Sequence, residues 1–151
     1  MTIKHKNKTI ATLLASTLGN LGAHRFYLHG KRDQFAWLHL VSLPISLLLT
    51  NLLFHLPLLI TMSPWALSLL ISLFTALVLG LKSDEKWDAR YNPESGQTSG
   101  STWPLALILV LTMAFGAFVL IFILARSFAL LCTWSGLAVD AARIKQGKTA
   151  R

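Results

Sequence analysis

His24, Arg25, Phe26 and Tyr27 stand together directly after an apolar run that begins near Ile10, and His29 follows closely. An imidazole carries protons or binds metals near neutral pH. A guanidinium is a permanent cation that pairs with carboxylate or phosphate. At the edge of an apolar segment it is costly to desolvate, so it takes a defined partner or snorkels to the interface. Phe26 and Tyr27 are ring types that set depth at a headgroup boundary. The chemistry expected of the cluster is therefore interfacial. Arg25, with Lys31 and Arg32 in the short polar turn 28–33, is expected to meet lipid headgroups.

The histidines also raise a metal question. The spacing of His24 and His29 matches no zinc signature, and of the nearby acids only Asp33 is placed to add a ligand. His39 and His5 read as interfacial polar residues. No metal and no cofactor are expected. Cys132, the single cysteine, allows no intramolecular disulfide and reads as a buried small residue among Leu130, Leu131 and Trp134. The chain has no G-x-S-x-G, no H-E-x-x-H, no phosphate loop and no paired intramembrane carboxylates. It reads as non-catalytic.

The elements that must position these residues are membrane helices. Of 151 residues, 54% are hydrophobic and 13% charged, against roughly 25% charged in a soluble domain. The net charge of +8 sits at the ends of apolar runs. Topology and anionic lipid explain that placement, and nucleic acid is not an expected partner. The apolar segment at 10–21 covers only about 20 Å, short of the ~30 Å hydrocarbon core. Segment two covers 35–53 with a kink expected at Pro44. Segment three covers 64–81, and segment four 103–125. Between the last two lies a polar stretch, 82–102, expected to be a flexible loop. Ser127 opens a region too short to span. With Asp140, Arg143, Lys145 and Lys148 it reads as an amphipathic or interfacial tail over 127–151.

The fold class expected is thus an all-α integral membrane protein with about four transmembrane helices, the first one short. Lys4, Lys6 and Lys8 imitate a signal-peptide start. Leu21 would be the −3 residue of a cut after Ala23, and it is not small, so a retained first helix is expected. Four spans would leave eight Lys/Arg on one side and six on the other. That balance weakly favours both termini in the cytoplasm.

Small residues recur every four positions: Ala11, Ala15, Gly19 and Ala23 in segment one, and Ser68, Ser72, Ala76 and Gly80 in segment three. Gly22 lies beside the first stripe. In lipid, helices associate by close backbone approach. Segments one and three are expected to face each other or a second copy. Segment two carries Ser42, Ser46 and Thr50, which could line a polar lumen. Segment interiors hold almost no ionisable group, so autonomous transport is the weaker reading.

The run Leu18-Gly19-Asn20-Leu21-Gly22-Ala23-His24-Arg25-Phe26-Tyr27-Leu28, with its basic approach from Lys8, resembles the two-transmembrane ("TM-two") domain family. That family shows L-G-x-x-G, a D/H-R-F-Y-L turn and a second helix. The resemblance implies a helical hairpin over 8–54 and a further helical region of the kind bacterial members carry. Bacterial members look like uncharacterised inner-membrane proteins, and animal relatives are linked to signalling and membrane-protein partners. The role implied is structural, regulatory or assembly-related, acting through helix–helix contacts and the His24–Tyr27 turn. The alternative is a lipid-interacting or transport component working as an oligomer. The sequence departs from the family where His29 precedes Gly30 and where Asp33-Gln34 opens the second helix. Asp88 and Asp140 are the candidates for the family's later aspartate.

Overall fold

The computed structural model describes the backbone of residues 5–149 and the side chains of residues 5–139 and 143. The described residues are helical with connecting turns: α1 (Lys8–Thr17), a 3₁₀ turn (Gly19–Leu21), α2 (Ala23–His29), α3 (Gln34–Leu52), α4 (Leu58–Thr61), α5 (Ser63–Leu81), α6 (Asp84–Tyr91) and α7 (Trp103–Thr149). They fall into two compact units, Met1–Ala117 and Phe118–Arg151.

Among the described residues three helices, not four, are long and apolar enough to cross a membrane: α3, α5 and the Trp103–Val139 part of α7. Segment one is not among them. Asn7 caps α1 by accepting from the Ile10 amide, and α1 ends after 10 residues, about 15 Å. Gly22 then takes φ +77, a left-handed conformation that glycine adopts without steric cost and that ends a run of α-helix. The chain doubles back as α2. The Lys6 ammonium donates to the Leu28 carbonyl (2.7 Å) and the Asn7 amide donates to the Tyr27 hydroxyl (2.9 Å), so both ends of this hairpin lie together. Segment one is therefore a helical hairpin and not one long helix.

The small-residue stripes lie inside this unit. Ala11 and Ala15 of α1 and Ala76 of α5 are wholly buried and belong to one core cluster with Leu28, Leu79 and Trp87. A Cβ at Gly19 would stand 2.6 Å from Ser72 Cβ, and one at Gly80 would stand 2.5 Å from Leu109 Cδ2. Both glycines permit backbone approach that a side chain would prevent. Gly80→Leu should therefore pry α5 from α1 and α7. It should lower the unfolding midpoint in detergent, whereas Gly100→Leu, with open space around it, should leave the midpoint in place.

Along the α3–α5 seam, Ser46 Oγ accepts from the Trp65 amide (3.0 Å) and Thr50 Oγ1 lies 3.0 Å from Thr61 Oγ1. Ser42 turns back onto the His39 carbonyl. The hydroxyls of Ser46 and Thr50 thus link α3 to α5 and α4, whereas that of Ser42 stays within α3.

The stretch 82–102 departs from a flexible loop. Its first half is α6, whose buried Trp87 donates its indole N–H to the Lys6 carbonyl (3.0 Å). Its second half is pinned to α6. The Ser99 amide and hydroxyl donate to Asp88, and those of Ser101 donate to Asp84. Lys8, 6% exposed, donates to Asp84 (2.6 Å) and to the Lys82 carbonyl. The hydrogen bonds from Lys8 and Ser101 outweigh burial and bring the Asp84 carboxyl down to about 2. An Asp lowered in the folded state contributes stability above its ordinary value of about 4, and that contribution is lost as pH falls from about 4 to about 2. Acid titration of unfolding should show this loss, and D84N should flatten that part of the curve.

In the second unit α7 continues without a break past Ala125, so residues 127–139 prolong one helix. Cys132 is exposed on it, not buried, because no other element of that unit covers it. The side chains of Asp140, Lys145 and Lys148 lie outside the described residues.

Candidate functional site

The turn residues are gathered by two helix starts. Gly22 begins α2, and its Cα faces the Ala36 carbonyl of α3 so closely that an added Cβ would overlap it. Asp33 caps α3 by accepting from the Phe35 amide (2.9 Å). These two fixed points set α2 against the first turns of α3.

Arg25 meets Asp33 across that angle. Its Nε donates to Oδ2 at 3.0 Å and its terminal nitrogen to Oδ1 at 3.3 Å. The guanidinium also lies 4.8 Å from the centre of the Phe35 ring. Arg25 is 28% exposed and Asp33 8%, so the pair is shielded but not sealed. Burial alone would raise the Asp33 carboxyl; the hydrogen bonds from Arg25 and the Phe35 amide outweigh it and lower it. The acidic partner of Arg25 is thus Asp33. Asp88 is engaged by Ser99 and Asn92, and the side chain of Asp140 lies outside the described residues. This pairing differs from the expected headgroup contact for Arg25, whereas Lys31 and Arg32 are exposed.

The other turn residues are also engaged within the protein, although His29 is exposed. Phe26 packs edge-on to Trp37 with ring centres 5.6 Å apart, and the Trp37 indole donates to the Lys31 carbonyl (2.9 Å). Tyr27 holds the start of α1, as described. His29 places Nδ1 3.3 Å from Asp33 Oδ2, yet burial outweighs that carboxylate and lowers its proton affinity. Ala23 is half-buried beside them.

His24 is the most enclosed member of the turn. It is 1% exposed, and neither ring nitrogen has a hydrogen-bond partner. Its ring centre lies 5.8 Å from that of His39 at 67°. His39 Nδ1 is 2.6 Å from Ser68 Oγ, which donates to the Asn20 carbonyl (3.1 Å). Among the described residues, no group of three His, Cys, Asp or Glu is placed to hold a metal ion.

A second cluster escaped sequence reasoning. Asn92 is buried, and it accepts from the Lys6 amide (2.7 Å) and donates to the Lys6 carbonyl (3.0 Å). His5 reaches Ser95 and Ser99. Together with Trp87 and Asp84 these groups strap the N-terminal residues onto α6. The available signal was the Asn92-Pro93 pair, which marks a helix end. Nothing in the Ser/Gly-rich run showed that its hydroxyls had acids to meet.

Residues 4–57, a little over a third of the chain, match the family model described as TM2 domain. The match covers α1, α2, α3 and the turn between them. No curated protein matches the chain. No solved structure matches it either.

Proposed function

We propose that this TM2-domain membrane protein is a non-catalytic interaction or assembly component. Its N-terminal unit acts as a rigid anchor, and α7 meets another membrane protein or a second copy. The observation that carries this reading is the length of α7. Its apolar part runs 37 residues, Trp103–Val139, whereas one crossing needs about 20. In the second unit Phe118, Phe122, Phe128, Leu131 and Leu137 all stand exposed. Lipid covers part of such a surface, and the length beyond one crossing is what a partner helix would engage. The turn supports the anchor role, because Arg25, Phe26 and Tyr27 brace α1, α2 and α3 against each other.

The charge pattern favours one orientation. With three spans, Lys4, Lys6, Lys8, Arg25, Lys31, Arg32, Lys82, Lys86 and Arg90 fall on one side, nine of the 14 Lys and Arg, while the connection around α4, 53–62, carries none and the five that follow Ala125 make up the other side. The positive-inside rule puts the first group in the cytoplasm. An odd number of spans separates the termini, so the expectation of a cytoplasmic location is kept for the N-terminus only. The bacterial inner membrane is the expected location on the resemblance carried by residues 18–28.

Affinity purification of the full chain in mild detergent tests the reading. A stoichiometric partner or a stable dimer is expected. A clean monomer carrying phospholipid would contradict it and favour a lipid-interacting protein, a reading supported by the exposed Lys31 and Arg32.

A further inference from the structure

Among the described residues, His24 is the buried side chain whose nitrogens have no hydrogen-bond partner. The Gly19 position is packed so tightly that a Cβ there would be 3.4 Å from His24 Nδ1 and 3.0 Å from Ser72 Oγ. The ring therefore closes the apex of the α1–α2 hairpin against α5, with His39 of α3 on another side.

We infer that His24 is a proton-operated latch. While neutral it lets the hairpin apex, residues 18–22, seat against Ser68 and Ser72 of α5; once protonated it holds the apex open. An imidazolium has two N–H donors, and in the closed arrangement neither ring nitrogen has a partner. A charged ring without acceptors is strongly disfavoured at such a position. Protonation must therefore await the ring's departure from its seat.

The groups that face it agree. Among the described residues, α3 presents His39, α2 itself presents Arg25 and His29, and the turn before α3 presents the one opposing charge, Asp33. Ser68 and Ser72 of α5 are uncharged, and Asp33 is already held by Arg25. Burial first, then His39 and Arg25, push the His24 imidazole down to about 4. A histidine lowered in the closed state stabilises that state at neutral pH and loses the contribution as pH falls from about 6.5 towards about 4.

The prediction does not depend on the partner-binding reading. Hydrogen exchange of the full chain in lipid nanodiscs, corrected for the chemical pH dependence of amide exchange, reports apex opening in peptides covering 14–26. With an ordinary value of about 6.5 in the open state, the opening constant should rise about tenfold between about pH 7.5 and about pH 5.5. H24Q should remove the rise, and H39Q, which keeps His24, should retain it. A flat wild-type profile would overturn the latch, as would an undiminished rise in H24Q. Should H24Q fail to fold, H39Q decides: loss of the rise there assigns the effect to His39 and overturns the proposal.

Discussion

Gly22→Ala should destabilise the N-terminal unit by about 2–4 kcal/mol. The left-handed backbone costs a residue with a Cβ roughly 1–2 kcal/mol, and strained positions reach about 3. At Gly22 a collision adds to the strain, because the new Cβ would overlap the backbone carbonyl of Ala36, which cannot rotate away. Gly96 gives the control. It also has positive φ, 63, but open space around it, so Gly96→Ala should cost only the conformational part, about 1 kcal/mol. Chemical unfolding of both variants in the same detergent separates the two contributions. Equal losses would mean that the approach of α2 to α3 does not depend on Gly22.

Asp33→Ala carries the second large effect, about 2–3 kcal/mol. It removes the N-cap of α3, worth about 1 kcal/mol, and leaves the Arg25 guanidinium half-buried beside Phe35 without its carboxylate. The exposure of Arg25, 28%, lets water and lipid phosphate recover part of the second loss, which keeps the total below that of a sealed pair. D33N should retain the cap and lose the pairing, falling between wild type and D33A. A cycle of R25A, D33A and the double variant should return a coupling of about 1 kcal/mol. Additive effects would instead mean that Arg25 works against headgroups, as its place in the sequence first implied.

The sequence was informative where one residue type forces one arrangement. Trp103 and Pro104 opening a long apolar run, Pro64 in the first turn of α5 and the apolar stretch 35–53 each specify a helix whatever surrounds it. The four-residue stripes of α1 and α5 likewise name surfaces that permit close approach. What the apolar run at 10–21 leaves open is whether it crosses or turns back, since both bury the same side chains. That choice rests on the left-handed Gly22 and on Lys6 and Asn7 reaching Leu28 and Tyr27, contacts across about 20 residues with no local signature. Arg25 and Asp33 are near in sequence, yet their pairing needs the angle between α2 and α3 that Gly22 sets. The polar stretch 82–102 hid its order for a related reason. Its serines look like linker residues until Asp84 and Asp88 come within reach on α6.

The claim on which the topology rests is that α1 and α2 enter and leave on one side of the membrane. Single cysteines at Asn7, Arg32 and His55, all exposed positions, test it directly in a Cys132→Ala background. An impermeant maleimide applied to intact cells and then to permeabilised cells reads the side of each. Asn7→Cys and Arg32→Cys should label together, only after permeabilisation, and His55→Cys should label from outside. Labelling of Asn7→Cys and Arg32→Cys from opposite sides would show that segment one crosses the bilayer and would contradict the hairpin.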